Sequence, residues 1–236
     1  MANNLTDEIK GFALAAGADL VGIADLARIR GIETIPADLL SSFSTAVVIA
    51  FQLSPEIFRQ MADEPTALYA HQYAAVNQLL DQINLRLQSK FLTRGYKALA
   101  IPAAQTLDRK IWLGHISAKA VAKAAGLGWQ GKSSLLVTPQ YGPRVRLACL
   151  LTDAPLMPDP VAANRCGGCT KCREACPAGA IHGSVWTEGP NAREEALDVP
   201  KCVDRLRVIA QRQGREAYIC GVCIKVCPWG SQSHNK

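Results

Sequence analysis

The stretch CGGCTKCREACP, from Cys166 to Pro177, places four cysteines at a C-x2-C-x2-C-x3-C-P spacing. A second stretch, CGVCIKVCP from Cys220 to Pro228, repeats the end of that pattern, with Cys202 standing far upstream as its remaining member. Crowded C-x2-C runs make poor disulfide partners for one another. Structural zinc sites show paired C-x2-C knuckles rather than three tight cysteines and a Cys-Pro. The spacing is that of two [4Fe–4S] clusters in which the last cysteine of each run ligates the other run's cluster. Cys166, Cys169, Cys172 and Cys227 then form one ligand set, and Cys176, Cys202, Cys220 and Cys223 the other. A cubane needs four thiolates converging from different directions. Each run wraps three corners, and the crossed fourth ligand ties the runs together.

This spacing is similar to that of bacterial ferredoxins. The ferredoxin-like part occupies roughly 65 residues of the 236, which leaves enough chain for a second, larger core. Composition is globular, at 49% hydrophobic and 19% charged, with no apolar run long enough to span a bilayer. The first residues, MANNLTDEIK, lack the basic and apolar regions of an export signal. A cytoplasmic location, where thiols stay reduced, is therefore expected. The formal charge of +6 falls once two clusters of about −2 each are counted. Nucleic acid is accordingly not an expected partner.

Working back from the cysteines, the pattern predicts strands alternating with helices. Thr6 is expected to cap a helix that Gly17 stops. Strands follow at 19–24 and 45–53, the second apolar enough for a sheet covered on both faces. A helix over 66–93 carries Leu68, Val76, Leu79, Leu80, Ile83, Leu87 and Phe91 at three- and four-residue steps. A strand at 96–102 and a short helix at 115–125 come next. Residues 134–138 and 145–152 read as two strands joined across the turn PQYGPR. The proline-rich stretch 153–164 reads as a linker. The expected fold is an α/β sandwich over residues 1–156 followed by a ferredoxin-like dicluster module over 157–236.

One stretch carries a more specific resemblance. AGLGWQGKSSLLVTPQYGPRVRLACLLTDAPLMP, from Ala125 to Pro158, is followed directly by the first cysteine run. Its AGLGW-x-GK, the later TD-x-PL and the final CPWG resemble epoxyqueuosine reductase, whereas PQYGPRVRL resembles the corrinoid-dependent reductive dehalogenases. The resemblance implies a nitroreductase-like α/β sandwich that holds cobalamin, an electron donor of the ferredoxin or flavodoxin type, and possible homodimers. It also implies a proton-donating aspartate about fourteen residues before Gly126; that position here is Trp112. The chain also ends soon after CPWG, without the helical repeats of that family. The expected substrate is thus a small organic molecule of unknown identity. A dicluster electron carrier, serving for example a separate corrinoid protein, is the first alternative. An FMN-dependent reductase is the second, because the sandwich resembles nitroreductases.

Individual residues follow from these readings. Gly126, Gly128 and Gly131, with Trp129, Lys132 and Ser133, form a Gly-rich loop whose backbone and ammonium could meet a cofactor, or simply make a helix end and a tight turn. Arg144 and Arg146 alternate in a strand and so share a face. Arg146 is assigned to the cofactor and Arg144 to an anionic substrate or leaving group, with an ion pair as the plainer role. Tyr141 is the candidate proton donor. Trp129 and Trp229 can shield a cofactor or cluster from water. Cys149 reads as a core thiol, and neither His115 nor His182 as a cobalt ligand.

Overall fold

The computed structural model describes residues 2–108, 110–186, 193–215 and 217–230. Helix α1 (Ala2–Ala15) leads into strand β1 (Leu20–Asp25). Strand β2 (Thr45–Gln52), the short helix α2 (Pro55–Arg59) and the long helix α3 (Ala67–Leu92) follow. Next come β3 (Ala98–Ile101), α4 (Ala118–Ala124), β4 (Trp129–Gln130), β5 (Leu136–Val137) and β6 (Val145–Thr152). The remaining helices are α5 (Lys171–Glu174), α6 (Val199–Gln213) and α7 (Val222–Lys225). The fold is mixed α/β with a cysteine-rich module, as expected. Among the described residues no helix is long and apolar enough to cross a membrane.

Contacts sort the chain into two compact units. The first comprises Met1–Gln52, Ala75–Gly128 and Val145–Ala163; the second comprises Leu53–Ala74, Trp129–Arg144 and Asn164–Lys236. The sequence reading drew a single boundary after residue 156, whereas this division interleaves along the chain.

The first unit is built on a four-stranded sheet in the order β1-β2-β6-β3, antiparallel throughout. Every residue from Thr45 to Ala50 is buried, so both faces of β2 are covered. Val76, Leu80, Ile83, Leu87 and Phe91 of α3 are buried at helical spacing. Asn84, on the same helix, donates its amide to the carbonyls of Ile101 and Cys149 at 3.0 and 2.9 Å. Cys149 is fully buried and its thiol is pushed up to about 12, because no water solvates the thiolate there. It is the core thiol that was expected.

Four local expectations are corrected. Thr6 lies inside α1, which begins earlier, and its buried hydroxyl accepts the Met157 amide at 2.9 Å. Leu68 is 52% exposed and lies off the apolar stripe of α3, whereas Tyr69 beside it is buried. Strands β5 and β6 do not form a hairpin. β5 pairs with β4, through Trp129–Val137 and Gln130–Leu136, while β6 pairs with β2 and β3. The stretch from Asp153 to Ala163 is no loose linker either. The Asp159 amide donates to Ile23 O at 2.9 Å, and its carboxylate accepts the Ile23 amide at 2.8 Å and Lys10 at 2.6 Å. A single aspartate thereby satisfies both backbone groups of one β1 residue.

The second unit hangs its cysteines on short elements. Asp198 caps α6 by accepting the Lys201 amide at 3.1 Å, and Gly214 closes the helix with φ 60°. Cys202 sits in the first turns of this helix, Cys172 in α5, and Cys223 in α7. Gly221 opens α7 at φ 88°, and a side chain there would strike Tyr69 Cε1 at 2.7 Å.

Candidate iron–sulfur site

A pocket in the second unit is lined by Cys166, Cys169, Cys172, Cys223 and Cys227, together with Gly131, Lys132, Ser133 and Trp229. Electrostatic influence links several of these thiols, within each run and across the two. Burial pushes the Cys172 thiol up, and Cys166 and Cys169 add to it. Burial also raises Cys227, to about 11; the Trp229 backbone pulls it back, and Cys166 and Cys172 push it further. Cys223 is raised by burial, then by Cys220 and Cys202, and less by Cys172 and Cys176. Cys227 thus lies with the first run although it belongs to the second. Closely set thiols that resist ionising alone are suited to a cation that replaces all their protons. Among the described residues no three His, Cys, Asp or Glu side chains close on a single-ion site. The assignment to clusters therefore rests on the grouping of the thiols and on the family match below.

Several residues brace this site. Trp129, 1% exposed, donates its indole N–H to Cys166 Sγ at 3.3 Å and stacks edge-on against Trp229 at 4.8 Å. Lys132, buried, donates its ammonium to Cys169 O at 3.0 Å. The turn between them is held by the Gly131 amide on Leu135 O and the Ser134 amide on Gly131 O, at 2.8 and 2.9 Å. A side chain at Gly131 would meet Val137 at 2.7 Å and approach Cys166 Sγ at 3.6 Å. Arg144 is only 5% exposed and donates to Trp229 O at 3.2 Å. The Gly142 backbone lies directly against the Trp229 carbonyl, and that of Gly230 against Tyr141. Asn164 escaped the sequence reading. It accepts the Cys166 amide at 2.9 Å and donates to Gln130 O at 3.0 Å, fixing the entry to the first run. An Asn two residues before the first ligand is the signal that could have found it.

The structure scatters the other candidate residues. Gly126, at φ 71°, ends α4, and its Cα is hemmed in by the Pro160 carbonyl; Gly128 is buried in the first unit. Arg146 gives its guanidinium to Asn77 Oδ1 at 2.8 Å and Ala103 O at 3.1 Å. Trp112, at the position counted for an acid, has φ 52°. The carboxylate of nearby Asp108 accepts the Lys110 and Ile111 amides of its own turn at 2.7 and 3.2 Å. His115 meets Ile35 O at 2.7 Å, and His182 meets Glu195 O at 3.3 Å.

Residues 165–230 match the family described as the 4Fe-4S double cluster binding domain. The epoxyqueuosine reductase of Bacillus cereus is 34% identical over 132 residues, spanning 52% of this chain and 32% of that protein. An epoxyqueuosine reductase solved with an epoxyqueuosine-modified tRNA stem loop superposes with a TM-score of 0.63. It is 24% identical and covers 96% of this chain and 65% of its own. Over those 132 residues the chain is similar in sequence to the epoxyqueuosine reductases. A reductive dehalogenase whose structure is described as suggesting a mechanism for B12-dependent dehalogenation shares the fold too. It superposes with a TM-score of 0.76 at 22% identity, covering 98% of this chain and 32% of that one. The match to the Bacillus reductase spans about a third of that reductase's length.

Proposed function

We propose that this chain is an iron–sulfur oxidoreductase. It takes single electrons from a ferredoxin or flavodoxin, relays them through two [4Fe–4S] clusters, and uses them for the cobalamin-dependent reduction of an organic substrate. The observation that supports this reading is Cys227 beside the thiols of the first run, with a buried Trp129 N–H on Cys166 Sγ. When bound, the clusters supply one-electron exchange with no proton transfer. Cys166, Cys169, Cys172 and Cys227 hold one and Cys176, Cys202, Cys220 and Cys223 the other. Trp129 and Trp229 exclude water from the first, and Lys132 fixes the backbone at Cys169.

Cobalamin comes from the resemblance and from the B12-dependent relative. Trp129, Lys132 and Arg146, expected to hold it, are engaged by the protein's own atoms. That engagement also favours a second reading, a dicluster electron carrier that reduces a separate corrinoid protein. The related reductase bound to a modified tRNA stem loop runs against the expectation that nucleic acid is no partner. Such a stem loop therefore belongs in any substrate screen.

Metal analysis of protein purified anaerobically from cobalamin-fed cells separates the readings. Eight irons with one cobalt per chain is the expected result. Eight irons without cobalt, even after soaking with cobalamin, would leave the carrier.

A further inference from the structure

Arg144 is a buried cation without a carboxylate. It is 5% exposed, and no Asp or Glu lies within ion-pair distance of it among the described residues. Its one hydrogen bond runs from Nη2 to Trp229 O at 3.2 Å, and its Nε is buried with no partner. A guanidinium withdrawn from water needs a compensating negative charge, because its desolvation is costly and a neutral carbonyl restores only part of the loss. The group that favours its charge is Cys227, two residues before the carbonyl it holds; Arg59 opposes it. Trp129 donates directly to the same ligand set, through its 3.3 Å bond to Cys166 Sγ.

We infer that Arg144 is the fixed countercharge of the cluster held by Cys166, Cys169, Cys172 and Cys227, raising that cluster's reduction potential above that of its neighbour so that electrons settle on it. This rests on the iron–sulfur reading above. Reduction adds one electron to the cluster, taken from the other cluster and ultimately from a one-electron carrier. The thiolate-bound unit becomes more negative by one charge, and no bond forms or breaks. A nearby fixed cation stabilises the reduced form more than the oxidised one. Net charge and hydrogen bonds to sulfur are established determinants of such potentials. Arg144 acts through the cluster's field rather than on a substrate, so it is a positioning residue. Burial is what gives it leverage, since an exposed cation at the same distance would be screened by water and salt.

EPR-monitored redox titration of the anaerobically purified chain tests this on wild type, Arg144→Gln and Arg144→Lys. The Gln variant is expected to retain eight irons and to lower the potential of one cluster only. The expected shift is at least tenfold in the oxidised-to-reduced ratio at a given potential, about 59 mV for one electron. The Lys variant, which keeps the charge, restores most of it. Iron-loaded Gln protein with unchanged potentials, equal shifts in both clusters, or a Lys variant that behaves like Gln would overturn the inference. Should the Gln variant fail to load, wild type decides. Its two clusters must titrate apart, the higher potential belonging to the one whose spectrum changes in Cys169→Ser, and coincident potentials overturn the inference. Wild-type protein without iron would instead sink the iron–sulfur reading itself.

Discussion

Gly142 and Trp229 show how much one backbone contact can matter. Gly142 has φ 58°, and any Cβ there would drive into the Trp229 carbonyl that Arg144 also holds. Gly142→Ala is therefore expected to destabilise the second unit by about 1–3 kcal/mol or more, from left-handed strain plus the clash. Thermal unfolding of the iron-loaded protein measures it, and a melting temperature equal to wild type would refute the contact. Cys149 provides a second residue-scale prediction. Its folded pKa, about 12, lies above the ordinary thiol value of 9.0, because burial disfavours the thiolate. A raised pKa means that its contribution to stability is complete below about 9 and is lost as pH climbs towards 12. Between pH 9 and pH 11 wild type should thus lose more stability than Cys149→Val, as read by urea unfolding of both proteins. Parallel losses would show that Cys149 does not titrate as its burial demands.

Among the elements, α3 anchors the first unit through an unexpected polar group. Asn84 is 1% exposed and bridges neighbouring strands β3 and β6 through their Ile101 and Cys149 carbonyls. Asn84→Leu strands both carbonyls and is expected to cost about 1–3 kcal/mol, measurable as a lowered denaturant midpoint. A neutral substitution would mean that water or backbone relaxation takes over the carbonyls. The elements also show what was legible in the sequence. Strands β1, β2 and β6 and helix α3 announce themselves through β-branched runs and helical periodicity, since local pattern decides both. The β4–β5 pairing was hidden. Trp129–Gln130 and Leu136–Val137 are each two residues long, too short for a period, and their partnership is a tertiary fact. Thr6 misled for a related reason. Its hydroxyl, a good cap by propensity, is claimed by the distant Met157 amide. At the site, the two cysteine runs were legible because their spacing is local. The roles of Trp129, Lys132 and Arg144 were not, because each depends on a partner 37 or 85 residues away in the chain.

For the molecule as a whole, the proposed function makes this α/β protein a two-cluster electron relay. Two features of the second unit support it. The crossed ligand Cys227 lies by the first run's thiols, and Trp129, Lys132, Asn164 and Arg144 brace that same region. The 129–144 segment is brought to the cysteine-rich region by hydrogen bonds to sulfur and to backbone, the pattern expected around metal ligands that must be held in place. Breaking the crossed ligand should therefore disturb one cluster while leaving the second cluster's four thiols intact. Cys227→Ser is expected to change the EPR spectrum of one cluster and spare the other. Loss of both signals together, at full folding, would argue against two separate ligand sets. The most direct measurement is iron and acid-labile sulfide per chain in anaerobically purified wild type, with EPR of the dithionite-reduced protein. The relay predicts eight irons, eight sulfides and the signals of two reduced cubanes. Zinc in place of iron, with no labile sulfide, would contradict it.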